Sequence, residues 1–177
     1  MSLPAWKELA IDKSHDRKNF DCGQPDLNLF LTQYARQSHE AGISKTYVAV
    51  HAENLTTIFG FYTLSPAQVE LHRVPAAARP KAGRYPVGGF RLGRLAVNKL
   101  CQGRGLGGQL LVAAAVRCMR ASFEMGGTAM MIDAKDEEAA AWYGYYGAVP
   151  LVDSPLSLLL TYDVSRATLQ AAGKSPL

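Results

Sequence analysis

The stretch Gln102-Gly103-Arg104-Gly105-Leu106-Gly107-Gly108 constrains this chain more than any other, with four glycines in seven residues. It follows an apolar run, Phe90 to Val97, that reads as a strand. It leads directly into a helical pattern from Leu106 to about Met125, with Leu110, Leu111, Ala114 and Ala115 among its apolar positions. The start of a helix presents several N–H groups without partners and a partial positive charge. Glycines let those groups approach a phosphate with no Cβ in the way. Arg104 adds a fixed cation, so a pyrophosphate is the natural guest. The plainer reading is a glycine-rich turn that binds nothing, and the strand before it, the helix after it and the basic surroundings weigh against that.

Two phosphate motifs fit poorly. A Walker loop needs Lys and then Ser or Thr after the last glycine, and Gly108 is followed by Gln109. The spacing Gly103-x-Gly105-x-x-Gly108 matches the dinucleotide fingerprint, but that fingerprint normally opens a unit of parallel strands. Here several strands precede it, and too little chain follows for a doubly wound sheet.

The flanking patterns predict the order β-α-β-β-β-α-β-α-β-β, a mixed sheet with helices packed against it in one α/β (α+β) domain. Trp6 to Ile11 reads as a strand. Asp26 is expected to cap a helix carrying Leu27, Phe30, Leu31, Tyr34 and Ala35, ended by Gly42. Thr46 to Val50 and Thr57 to Leu64 form a hairpin, followed by an irregular loop with Pro75, Pro80 and Pro86. After the long helix, stopped by Gly126 and Gly127, come a strand Ala129 to Ile132 and a short helix Glu137 to Tyr146. Strands Leu151 to Val152 and Leu156 to Tyr162 close the order, and residues 168–177 are expected to fray.

With 177 residues and 48% hydrophobic content, one core is affordable. No apolar run is long enough to span a bilayer, and the charged N-terminus lacks a signal peptide's apolar centre, which points to a cytoplasmic protein. Cys22, Cys101 and Cys118 match no disulfide or zinc framework and read as reduced, packed thiols. His15, His39, His51 and His72 show no ligand spacing, so no metal site is expected. Charge is uneven. Leu71 to Phe123 holds ten Lys or Arg and no Asp or Glu, whereas the rest holds nine basic and fifteen acidic residues. A polyanionic partner fits that segment, and a solvated basic face is the alternative.

The glycine stretch also satisfies Q-x-x-G-x-G through Gln102, Gly105 and Gly107, a pattern of acetyltransferases that bind coenzyme A. With it stand His15-Asp16-Arg17, Phe20-Asp21-Cys22-Gly23, Leu27 to Leu31, Gly60 to Leu64, Leu92 to Val97, Ile132-Asp133-Ala134 and Trp142 to Gly147. Together these resemble the Gcn5-related N-acetyltransferase (GNAT) superfamily, and more narrowly the acetyltransferase toxins of toxin–antitoxin modules. Two departures are visible: Asn98 stands where many relatives place Asp, and Ala148 replaces the aromatic that commonly follows Tyr-Gly.

The resemblance implies a single GNAT domain, with helices on both faces of the sheet, that transfers acetyl from acetyl-CoA to a primary amine. In the toxin branch that amine is the α-amino group of an aminoacyl-tRNA, and the modification blocks translation. A homodimer and an antitoxin with a ribbon-helix-helix domain are implied as well. Carried onto this chain, the coenzyme site comprises Gln102, Gly103, Arg104, Gly105, Leu106, Gly107 and Gly108, the backbone of Leu95, Ala96 and Val97, and Asp133. A backbone N–H near Val97 would face the thioester oxygen, while the side chains of Leu95 and Val97 are expected in the core. The strand must diverge from Met130 to Asp133 to leave room. Asp133 could instead cap the next helix.

Tyr143 is the candidate general acid, with Tyr145 and Tyr146 as rivals by composition. Arg73, Arg79, Lys81, Arg84, Arg91 and Arg94 are candidates for tRNA phosphates. No His or Glu is marked as a base: Glu70 could serve, with a salt-bridge or solvated role the favoured alternative, and an α-amino group, with a reference pKa of about 7.7–8.0, needs little help. A GNAT enzyme acting on a protein N-terminus, a lysine or a small amine is the second reading. A non-catalytic nucleotide- or nucleic-acid-binding module is the third.

Overall fold

The structure, a computed structural model, describes residues Met1–Gly173. The chain folds as two compact units: Met1–Ser65 with Gly93–Ala113, and Pro66–Leu92 with Ala114–Leu177.

The first unit begins with β1 (Trp6–Ala10), which pairs antiparallel with β2 (Lys45–His51); β2 pairs antiparallel with β3 (Ile58–Val69), with a bulge between Ala49 and Val50. Between β1 and β2 lies a helical stretch: α1 (Pro25–Leu29), a π-helical turn (Phe30–Tyr34) and α2 (Ala35–Glu40). The expected cap at Asp26 is corrected. Pro25 takes the first helical position, where its missing N–H costs nothing, so Gln24 is the cap residue and Asp26 sits in the first turn. Phe30, Leu31 and Ala35 turn inward with Ile11, Phe20, Val48, Val50, Ile58, Phe61 and Ala96. Phe61 is fully buried and gathers Phe20 edge-on and Phe30 stacked, at 5.5 and 6.2 Å. Each such ring contributes roughly 1.5–3 kcal/mol by leaving water.

The second unit is built on β4 (Val87–Val97), β5 (Ala129–Asp133), β6 (Val149–Leu151) and β7 (Ser154–Thr161). β4 and β5 run parallel, whereas β5–β7 and β6–β7 are antiparallel, so the sheet is mixed. Val69, Val74, Val87, Ala129, Met131, Leu151 and Leu159 form this unit's core. The Pro-rich connection holds two short 3-10 turns, Leu71–Arg73 and Ala76–Ala78, and fully buried Val74 pins it down. α3 (Leu106–Met125) has the boundaries that its flanking glycines imply, and α4 spans Glu137–Tyr145. β3, β4 and α3 each run from one unit into the other.

The C-terminal expectation needs correction. α5 (Tyr162–Ala171) is a helix capped by Thr161, whose hydroxyl accepts from the Val164 N–H, and Leu169 is buried. Residues 168–171 are therefore helical, while 174–177 lie outside the described residues. Among the described residues no helix is long and apolar enough to cross a membrane.

Candidate functional site

In the first unit, β4 delivers the chain to the glycine loop. The parallel ladder with β5 runs from Gly89↔Ala129 to Leu92↔Ile132, and β4 continues to Val97. Ala96 is buried in the core. Leu95 and Val97 are only half-buried, which corrects the expectation that their side chains belong to the core. The N–H of Asn98 donates to Phe59 carbonyl at 2.7 Å. Its Oδ1 accepts from the Leu100 N–H at 3.1 Å and caps the turn Lys99–Cys101. An Asp would use the same acceptor oxygen, so this departure from the family pattern leaves the turn intact.

Gln102 is exposed yet tied to the protein: its Nε2 donates to the carbonyls of Val97 and Cys22, at 2.8 and 2.9 Å. Gly103 and Gly105 adopt φ of 71° and 84°, the left-handed region that side chains disfavour. A Cβ built at either would meet nothing within 4 Å. Arg104 between them is half-buried. Leu106 and Leu110 anchor the start of α3 in the interior, while Gly107 and Gly108 occupy its first turn, half-buried. That turn contains no acidic residue to compete for an anion. The loop thus presents left-handed glycines, a cation and a helix start, and it fits a diphosphate group. Arg94, in the same unit, stacks its guanidinium over the Phe30 ring at 3.7 Å, and burial lowers its pKa from the usual arginine value.

In the second unit, α4 holds Tyr143. Asp136 caps that helix, its Oδ1 accepting from the Ala139 N–H at 2.8 Å, so the cap is not Asp133. Tyr143 is the buried member of the tyrosine trio; Tyr145 is 86% exposed and Tyr146 half-buried. Its carbonyl accepts from the N–H groups of Tyr146 and Ala148 at 3.0 and 3.2 Å. Trp142 packs edge-on to its ring at 5.0 Å. Burial pushes the phenol up to about 12.

The basic residues look different in space than in sequence. Arg73 Nε meets both carboxylate oxygens of Asp153, at 3.0 and 2.9 Å. Arg91 pairs with Asp133, which also accepts from the Ser157 hydroxyl at 3.2 Å. Arg79 Nε donates to Val74 carbonyl at 2.9 Å. Lys81 and Arg84 are exposed and join no ion pair among the described residues. Glu70 is an exposed residue ahead of a 3-10 turn.

Cys22, Cys101 and Cys118 are reduced and buried, as expected. His15, His39 and His51 each accept a backbone N–H through Nδ1, a structural use. No group of metal-ligating residues occurs among the described residues. Sequence reading missed Lys99 and Asp21, which pair at 2.8 Å beside the loop; the cue was the Asp-x-Gly turn within the motif containing Phe20.

No family model matches the chain. Its mixed α/β fold is that of GNAT toxins whose structures are solved. AtaT complexed with acetyl-methionyl-tRNAfMet is 25% identical, with TM-score 0.85 over 96% of this chain and 100% of that one. A tyrosine-to-phenylalanine mutant of AtaT, bound to acetyl-CoA and the C-terminus of the antitoxin AtaR, is also 25% identical; its TM-score is 0.79 over 93% and 98% of the two chains. At 32% identity, over 90% of this chain and 93% of the other, it is similar to the tRNA-acetylating toxin of Mycobacterium tuberculosis. The chain belongs to the family of tRNA-acetylating toxins of the GNAT type.

Proposed function

We propose that this chain is an acetyl-CoA-dependent N-acetyltransferase that acetylates the α-amino group of an aminoacyl-tRNA and so blocks translation. One observation carries the reading: an anion-ready loop, with Gly103 and Gly105 in the left-handed region, opens a twenty-residue helix, in a chain that resembles a tRNA-acetylating toxin over nearly its whole length.

When bound, acetyl-CoA supplies an activated thioester. The Gln102 N–H is spent on the Asn98 carbonyl at 3.1 Å, so the N–H groups of Gly103 to Gly108, with Arg104, would hold the diphosphate. The backbone of Leu95 and Ala96 would hold the pantetheine arm as a further strand is held. The Val97 N–H would offer a donor to the thioester oxygen. Tyr143 keeps its proton across the physiological range and offers it to the departing sulfur. Asp133 acts through Arg91, holding that guanidinium on the protein. Lys81 and Arg84 meet tRNA phosphates, with exposed Arg79 and Arg94, which have no carboxylate partner, beside them as candidates, whereas Arg73 and Arg91 are paired with carboxylates. The chain works as one acetyltransferase domain, as a homodimer, in the cytoplasm, where charged tRNA is found. A ribbon-helix-helix antitoxin restrains it, which agrees with AtaT being held by AtaR.

The deciding experiment incubates the protein with acetyl-CoA and charged tRNA, digests with nuclease and weighs the aminoacyl adenosine. One added acetyl group on the amino acid is expected. No gain on any amino acid removes the tRNA claim, and a gain on a peptide or small amine instead would install the alternative acceptor.

A pH profile follows from the same groups. With a phenol near 12, no alkaline loss from Tyr143 is expected over the accessible range. The rate at subsaturating tRNA should climb through the amine's reference pKa, about 7.7–8.0, and then level. A decline between about pH 8 and 9 would argue for a different acid.

A further inference from the structure

Phe20-Asp21-Cys22-Gly23 carries part of the family resemblance, yet no role above uses it. In the first unit this segment is held from two sides. Phe20 is 4% exposed and sits in the core. From α1, Asn28 grips the segment with both ends of its amide. Its Oδ1 accepts from the Cys22 N–H at 3.0 Å, and its Nδ2 donates to Asp21 Oδ1 at 2.9 Å. The same Asp21 oxygen accepts from the Gly23 N–H at 2.8 Å.

Toward the glycine loop, Asp21 Oδ2 meets Lys99 Nζ at 2.8 Å, and the Lys99 N–H donates to Asp21 carbonyl, also at 2.8 Å. The Cys22 carbonyl is one of the two acceptors of Gln102 Nε2. Gly23, with φ 83°, makes room for this arrangement, because a Cβ there would stand 3.0 Å from Lys99 Cε. Hydrogen bonds from Lys99 first, then Asn28 and Gly23, hold the Asp21 carboxyl down to about 2.

An exposed ion pair contributes little to stability by itself, and both side chains of this one are more than half exposed. Its sense is geometric. A loop that must offer N–H groups in a fixed array binds more weakly when its flank is free to move, because ordering is then charged against binding. The acidic segment fixes Lys99, the first residue of the turn that leads into the glycines, and Gln102, the residue just after it.

We infer that Asp21 is a positioning residue for coenzyme A: it clamps the 20–23 segment onto Lys99 and Gln102 and thereby holds the glycine loop in the shape that receives the diphosphate. This rests on the reading of that loop as the diphosphate site.

The test is calorimetric titration of the full chain with coenzyme A, alongside steady-state kinetics with acetyl-CoA. Asp21→Ala is expected to raise Kd and the KM for acetyl-CoA about tenfold, the loss of a charge-assisted anchor. At saturation kcat should stay within about threefold. Asp21→Asn keeps an acceptor for Gly23 and Asn28 and should recover a good part of the affinity. If Asp21→Ala does not fold, Lys99→Met replaces it, with an expected rise in Kd of about threefold. Wild-type Kd in the folded variant, or a fall in kcat with Kd and KM unchanged, overturns the clamp. The two readings separate cleanly. A wild-type chain that binds no coenzyme A, or a Gly105→Val variant that binds it as well as wild type, removes the loop reading and the clamp with it. Binding lost in Gly105→Val but kept in Asp21→Ala removes the clamp alone.

Discussion

Tyr143→Phe is expected to lower kcat by about 10²-fold, the typical weight of one positioned general acid, while Kd for coenzyme A stays within about twofold. The substitution deletes one oxygen from a residue that is 9% exposed. The ring remains to pack against Trp142, and the backbone bonds from Tyr146 and Ala148 to the residue 143 carbonyl are untouched. Folding should therefore survive, and the melting temperature is the control. Burial raises the phenol to about 12, which makes it a reluctant acid toward an ordinary thiol of about 8.5 in water. The same burial would raise a thiolate brought beside it, so the mismatch in that environment is smaller than the aqueous values suggest. Tyr145→Phe is the comparison, since that residue is 86% exposed, and its kcat should match wild type. Wild-type turnover in Tyr143→Phe would remove the acid from this residue, and loss in Tyr145→Phe would move it there.

What the sequence disclosed, and what it hid, follows from the range of the forces involved. The bounds of α3 were legible because glycines punctuate both ends and the leucines recur between them. α5 was hidden because its buried stripe is thin: Tyr162, Ser165 and Leu169 are its only buried residues among those described. Tyr162 also reads as the last residue of the apolar strand before it. The signal was present in Thr161, a cap residue, followed by Asp163 in the first turn. The left-handed turn at Gly103 and Gly105 was legible because such backbone demands glycine. The fate of the basic residues was not. Arg73 finds Asp153 eighty positions away, Arg91 finds Asp133 forty-two away, and Gln102 finds Cys22 eighty away. An acid-free segment therefore looked uncompensated along the chain while the fold supplied it with carboxylates. Of the six arginines and lysines proposed for tRNA, Arg73 and Arg91 find carboxylates, which leaves Arg79, Lys81, Arg84 and Arg94 as the exposed cations that salt-dependent binding would report.

Gly105→Val should cost the most affinity for coenzyme A, about 10²-fold in Kd. Two effects add. A left-handed conformation costs an L-residue roughly 1–2 kcal/mol, and a β-branched one suffers more; Gly105 holds φ 84°. At about 1.4 kcal/mol per decade, that strain alone accounts for about tenfold if binding needs this backbone. The second effect is occlusion. A Cβ at this position meets nothing within 4 Å, so it sits in open space, which is where the proposed reading of the loop would bring the diphosphate close. Gly105→Ala isolates most of the first effect and is expected to lose about tenfold. Stability should change less than binding, because the loop can relax to negative φ when nothing is bound and Leu106 and Leu110 still anchor the helix. Titration with coenzyme A, with thermal melts of the same samples, separates these quantities. Equal Kd in wild type and Gly105→Val would mean that the diphosphate is held elsewhere, and a collapse of the melt with affinity retained would make the glycine a folding requirement alone.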